Sequence, residues 1–309
     1  MVLALIWGSS FLFIKVGVSE LHPLYVTLGR VTTGAVVLLT ILTLSRARLP
    51  KDLTFWRHVT VIALFGAVIP FTLFGYGEQR VSSVAAGIWN ATTPLFIVPM
   101  TLLFRTEKLT VRRVGGMLLG FLGVLVVLGV WQGVGGSTFA GHVMCISAAF
   151  CYAVAAPYQY KYLREYGRSA AIAVPTGQLL VASLILLILA PVVAGPPPAV
   201  TELSGSVVSA VLALGALGTG LAFVINFRVL RYAGATTSTS VTYLLPVVAT
   251  AVGVLVLGED LTWRQPVGAA IVLLGVAVSQ GVLRLPQRRP SPSATGPVTA
   301  TASSETAGS

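Results

Sequence analysis

The sequence predicts an all-α membrane protein, with ten transmembrane helices arranged as two inverted five-helix repeats. Three observations lead there: apolar runs long enough to cross a bilayer, basic charge confined to one side of those runs, and a short phrase written twice. Of 309 residues, 55% are hydrophobic and 9% charged, against roughly 25% charged in a soluble domain. The apolar residues cluster in stretches near the roughly 20 residues that a helix needs to span the hydrocarbon core.

Ten such runs follow one another, at 2–18, 23–45, 56–75, 81–104, 111–130, 139–159, 169–191, 206–230, 236–257 and 263–283. The connections between them carry breakers or charge, as in RARLPKD at Arg46 to Asp52 and AGPPPAV at Ala194 to Val200, segments that end helices. Met1 to Val18 has no basic leader and no A-x-A-like site, so helix one is expected to be retained rather than cleaved. Its start so close to Met1 leaves two expectations open, a helix beginning at the membrane surface or a true start upstream. Residues 284–309 are polar and rich in Pro, Ser and Thr; they are expected to form a disordered cytoplasmic tail.

A net charge of +11 and a pI near 10.2 raise the question of a nucleic-acid partner, which the position of the charges answers. Arg46, Arg48, Lys51 and Arg57 follow helix two, Arg105, Lys108, Arg112 and Arg113 helix four, Lys161, Arg164 and Arg168 helix six, and Arg228 and Arg231 helix eight. Arg284, Arg288 and Arg289 lie in the tail, and the connections of the opposite side hold only Arg80 and Arg264. This is the positive-inside pattern, so both termini are expected in the cytoplasm of a multi-pass plasma (inner) membrane protein. The expected partners are a small-molecule substrate and the lipid bilayer, without nucleic acid; the oligomeric state stays open.

The phrase EKLTVRRVGG at Glu107 to Gly116 returns as EDLTWRQPVG at Glu259 to Gly268, 152 residues later. The same register pairs Pro94 with Pro246, Thr110 with Thr262, Arg112 with Arg264, Gly123 with Gly275, Gly66 with Gly218 and Phe71 with Phe223. Scarce residue types holding one register without a gap mark an internal repeat, with units at 1–130 and 137–283. Five spans per unit is an odd number, so the second unit enters the membrane in the opposite sense. Inverted repeats are the usual architecture of alternating access, because exchanging the conformations of the halves moves an opening from one side to the other.

The motif WGSSFLFIKV at Trp7 to Val16, the Pro23 and Arg30 of helix two, the mid-helix Pro before EKLT or GEDLT, and GGMLLGFLGVLVV after it resemble the EamA family of the drug/metabolite transporter superfamily. The resemblance runs over residues 1–283 and departs at Arg105 to Glu107, which reads RTE where the family usually has LGE. It implies ten helices in two inverted repeats that move small metabolites or drugs across the plasma membrane, most often outward and without a cofactor.

Candidate site residues follow from the breaks in the spans. Pro94 and Pro246 in mid-span each leave a carbonyl without its helical donor, at Asn90 and Thr242. Such carbonyls need partners or a polar cavity at membrane depth. With Trp89 and Tyr243 beside them, these positions are expected to form a midplane binding region whose prolines act as hinges; a kinked helix with internally packed polar groups is the alternative. Trp7, Ser10, Phe11 and Ile14 share a face of helix one, and Tyr152 lies at the matching part of helix six. They complete the cavity walls in one reading; in the other, Trp7 is an interfacial anchor and the serines are packing contacts. Arg30 and Lys15 either snorkel outward or mark an intramembrane site. Glu107 and Glu259 sit just before helices five and ten, where a carboxylate suits the positive helix end, with a gating or coupling role as the alternative. Glu78, near the outer end of helix three, is expected to be solvated.

Other constellations carry no chemistry. His22, His58 and His142 lack ligand spacing for a metal, Cys145 and Cys151 lie on different faces of one helix, and no nucleophile and base stand together. An aromatic, neutral polar cavity is expected to suit export of small neutral or zwitterionic metabolites such as amino acids. Efflux of lipophilic cations is the alternative, followed by a membrane-embedded enzyme or a non-transporting receptor.

Overall fold

The computed structural model describes residues 2–81, 83–128, 131, 138–166, 170–245, 247–248 and 263–280, which leaves Pro246 and Glu259 outside the described residues. Among the described residues ten helical segments of eight residues or more follow in order: α1 Val2–Gly17, α2 Pro23–Leu44, α3 Leu53–Glu78, α4 Ser83–Asn90, α5 Thr93–Phe104, α6 Val111–Leu128, α7 Phe139–Leu163, α8 Ala170–Ala194, α9 Gly205–Leu244 and α10 Arg264–Gln280. They are not ten spans. Helices α4 and α5 are the two parts of the expected fourth span, and α9 carries the eighth and the start of the ninth. The described residues are all helical or connecting, with no strand among them.

Local chemistry sets the boundaries. Asp52 caps α3 by accepting from the Thr54 and Phe55 amides at 3.1 and 3.3 Å, satisfying donors that a helix start leaves open. The Thr54 bond, chiefly, holds the Asp52 carboxyl below the usual carboxylate range. Thr138 and Ser204 cap α7 and α9 in the same way. Gly234, with φ +88°, is non-helical inside α9. A residue without a Cβ adopts that conformation without strain, so the chain passes from the eighth span into the ninth around one glycine rather than through the longer connection the sequence suggests.

The expected mid-helix kink at Pro94 is a break instead. Helix α4 ends at Asn90, a turn intervenes, and Pro94 stands in the first turn of α5, where its missing N–H is no loss. The Asn90 carbonyl finds its donor locally, in the Thr93 hydroxyl at 2.7 Å. On the other side of the repeat a 3₁₀ turn, Val241–Leu244, takes the place of the break, and the Thr242 carbonyl accepts from the Leu245 amide.

The repeat is visible in three dimensions. Helices α3 and α9 each contain a π turn, at Leu64–Val68 and Ala216–Leu221, and these begin 152 residues apart. Helices α6 and α10 pack antiparallel along a glycine seam. A Cβ on Gly123 would stand 2.6 Å from the Val272 nitrogen and 2.9 Å from the Gly268 carbonyl, and one on Gly116 would meet the Ser279 nitrogen and the Gly275 carbonyl. Gly116 thus faces Gly275 while Gly123 faces Gly268, and these are repeat partners with their roles exchanged. That reciprocity is the signature of a local twofold axis. Small residues allow such close backbone approach in a membrane, whereas Leu184, Leu187, Ile188 and Val192 of α8 are exposed, as a lipid-facing surface requires.

Candidate functional site

A cavity of ≈ 130 Å³ lies between the halves. Helix α1 lines it with Trp7, Ser10, Phe11 and Ile14, α2 with Arg30, and α3 with Gly66, Phe71 and Phe74; the break between α4 and α5 adds Asn90 and Thr93. Opposite stand Tyr152, Ala155, Ala156 and Gln159 of α7, Gln178 of α8, and Phe223, Asn226, Ser238, Thr239 and Thr242 of α9, with Leu245 just beyond. Helices α6 and α10 contribute none of these lining residues.

The π turns shape the walls. A π turn displaces the regular i to i−4 ladder and frees carbonyls, and here side chains from other helices take them up. The Trp7 indole N–H donates to the Gly218 carbonyl at 3.0 Å, and the Gln178 amide donates to the Ile62 carbonyl at 3.1 Å. Phe11, Phe74, Tyr152, Phe71 and Phe223 form a continuous aromatic wall, each ring 5.8–6.3 Å from the next, within the range of favourable edge and offset contacts.

Arg30 does not snorkel. Its residue exposure is 6%, its Nε donates to the Thr219 hydroxyl at 2.7 Å, and its guanidinium carbon lies 3.6 Å from the centre of the Phe71 ring. Lys15 differs: it is exposed, and its ammonium donates to the Glu78 carbonyl at 2.6 Å.

The structure brings Trp7, Ser10, Arg30, Asn90, Tyr152 and Thr242 together at the cavity, and leaves Trp89 and Tyr243 out of the lining. The Trp89 indole donates to His142 Nδ1 at 2.8 Å, while Tyr243 is buried with its ring 3.1 Å from the position of a Gly120 Cβ on α6. Pro94 is buried beside the cavity at the start of α5. Glu78, expected to be solvated, is 0% exposed. Helix α7 closes over the end of α3, where a Gly77 Cβ would be 2.6 Å from the Cys145 sulfur and the Arg80 carbonyl accepts from the Thr138 amide. Glu78 does not line the cavity but is electrostatically coupled to Arg30.

Glu107 serves a different helix end from the one expected. Its Oε1 accepts from the Thr236 amide at 3.1 Å, immediately after the Gly234 break, and its Oε2 accepts from Arg113 at 3.0 Å. The carboxylate caps the ninth span rather than α6, tying the first half to the second. Its repeat partner Glu259 and the second hinge candidate Pro246 lie outside the described residues.

Sequence reasoning missed Gln159, Gln178 and Asn226. Amides are rare at membrane depth, and three in otherwise apolar runs were a usable signal.

This geometry can be set beside known proteins. The model of the EamA-like transporter family matches residues 1–129 and again 139–280. The chain belongs to the EamA-like transporter family. Among its EamA-like relatives, "Uncharacterized transporter YoaV" of Bacillus subtilis is 26% identical over 88% of this chain and 92% of its own length. "Uncharacterized inner membrane transporter YedA" of Escherichia coli is 25% identical over 89% and 87%. "WAT1-related protein At3g02690, chloroplastic" of Arabidopsis thaliana is 23% identical over 87% and 66%. A solved crystal structure superposes with a TM-score of 0.71 at 22% identity, covering 91% of this chain and 94% of the other, a likeness of fold alone. The EamA-like chain is therefore a multi-pass membrane transporter.

Proposed function

We propose that this transporter carries small neutral or zwitterionic metabolites, amino acids among them, out of the cell by alternating access between two inverted repeats, 1–130 and 137–283. The observation that carries the reading is the cavity itself. It is built from both halves, walled by aromatic rings and furnished with neutral amides and hydroxyls, the composition of a site for small organic molecules. The π turns and the α4–α5 break adjoin it, and irregular backbone at membrane depth belongs where a cavity is lined. The reciprocal glycine seam and the two family-model matches support the repeat. The second reading, efflux of lipophilic cations, is disfavoured by the buried Arg30 in the lining.

Purified protein in proteoliposomes loaded with a mixture of amino acids is expected to accumulate labelled amino acid from outside by counterflow. Folded protein that gives no counterflow above protein-free vesicles overturns the reading. The one-sided basic charge supports an orientation with both termini on the cytoplasmic side of the plasma membrane. A cysteine at Pro197 is then expected to react with an impermeant thiol reagent from outside and one at Ala47 from inside; the reverse pattern rejects the orientation.

A further inference from the structure

Arg30 combines three features that a structural arginine does not need together. It is buried at 6% exposure, it lines the cavity, and its plane is fixed from two directions, by Thr219 at Nε and by the Phe71 ring against its face. Holding Nε and the face leaves the Nη edge as the free side of the fork. Among the described residues no hydrogen-bond acceptor is assigned to either terminal nitrogen. Arginine stays protonated in any protein setting, so the cavity has a permanent positive charge and four N–H donors to satisfy. No acidic side chain is among the described lining residues; Asn90, Gln159 and Asn226 are neutral, and Glu78 acts on Arg30 from outside the lining.

A bound molecule that brings a negative group to the Nη edge satisfies these donors from inside the cavity. A planar monoanion with two oxygens matches the fork geometrically, through two parallel N–H···O bonds, and its single charge matches the single guanidinium of the lining. A phosphate dianion exceeds that charge, and a cation would add to it. We propose that Arg30 is the carboxylate anchor of the cavity, so that solutes bind through a free carboxylate with an apolar or aromatic body against the ring wall. An ammonium group on the same solute is optional, served by the neutral carbonyl oxygens of Asn90, Gln159 or Asn226 and not by a counter-charge. This rests on the transport reading and narrows it: neutral amides, esters and amines fall outside the substrate class, and deaminated acids fall inside it.

The test uses the full-length protein in detergent and four probes in matched pairs, L-phenylalanine with L-phenylalaninamide and 3-phenylpropanoate with 3-phenylpropanamide. Binding is read by calorimetry and by ligand-induced thermal shift. Each carboxylate is expected to bind the wild type at least about 10-fold tighter than its amide, the scale of a charge-assisted hydrogen bond. Arg30→Gln is expected to lose about 10- to 100-fold in carboxylate affinity and with it the preference. Arg30→Lys keeps the charge without the fork and retains a reduced preference. Thr219→Val leaves the arginine in place and unfastens its Nε, so it keeps the proposal testable if Arg30→Gln does not fold; a several-fold loss confined to the carboxylates is expected. Equal binding of acids and amides, a preference that survives in Arg30→Gln, or no binding of any probe to the wild type overturns the anchor. The two readings fail separately: carboxylate-selective binding without flux in vesicles rejects transport and keeps the anchor, whereas flux indifferent to the carboxylate keeps transport and rejects the anchor.

Discussion

Arg30 of α2 corresponds, by the 152-residue shift, to Ala182 of α8, and Thr219, which fastens its Nε, corresponds to Ala67. Glu78 corresponds to Leu230. The scaffold positions behave otherwise: Gly66 and Gly218 in the π turns, Phe71 and Phe223 on the cavity wall, and Gly123 and Gly275 in the seam are the same residue in both halves. Backbone geometry has been kept in duplicate while the cavity's cation, Arg30, and the buried Glu78 stand in one half only. A symmetric frame can exchange the conformations of its halves, and a single asymmetric charge gives the shared cavity one kind of ligand. Changes at scaffold positions should therefore act in matched pairs, and changes at Arg30 or Thr219 should have no counterpart.

The largest matched effect is expected at the seam. Gly123→Ala and Gly275→Ala each drive a methyl into partner backbone, which cannot rotate away; each is expected to destabilise by about 1–3 kcal/mol, the range for overpacking. Thermal unfolding in detergent reads this, and a loss in one variant but not the other breaks the twofold description. Next come the two carbonyls at the π turns. Trp7→Phe removes the donor to Gly218 and Gln178→Leu the donor to Ile62, and each is expected to cost about 1 kcal/mol in the same assay. Unchanged stability in both shows that the freed carbonyls find other partners. The smallest effect belongs to Glu107→Gln. The amide oxygen still accepts from Thr236, and only the ion pair with partly exposed Arg113 is lost, a change expected to stay below about 1 kcal/mol.

The five spans that are long enough to cross a membrane unbroken were legible because they are apolar and bounded by charge or breakers, and burial in lipid leaves the chain few alternatives to a helix. Helix α1 was expected at 2–18 and runs Val2–Gly17; α2 was expected at 23–45 and runs Pro23–Leu44. The breaks were only half legible. Pro94 marks the right place, but a proline is compatible with a kink or with a new helix start, and the Thr93 hydroxyl that caps the Asn90 carbonyl decides for the second. The π turns have no sequence signature beyond the paired glycines. Glu78 was misjudged because its solvation depends on how α7 closes over α3, a close approach between residues 68 positions apart, Gly77 and Cys145. Glu107 likewise reaches Thr236 across the repeat, a partner that no local pattern names. At the cavity, the helix-one face was readable from its spacing, whereas Gln178 and Asn226 depend on which side of α8 and α9 turns inward.

Alternating access around the shared cavity is tested most directly at Ala155, which lines the cavity on α7 and lies 3.5 Å from the position of a Gly66 Cβ. In a background with Cys145→Ser and Cys151→Ser, Ala155→Cys is exposed to an impermeant thiol reagent in right-side-out and in inside-out vesicles. The account predicts labelling from both sides, each slowed by the carboxylate solute that binds. Labelling from one side only, with or without solute, contradicts it.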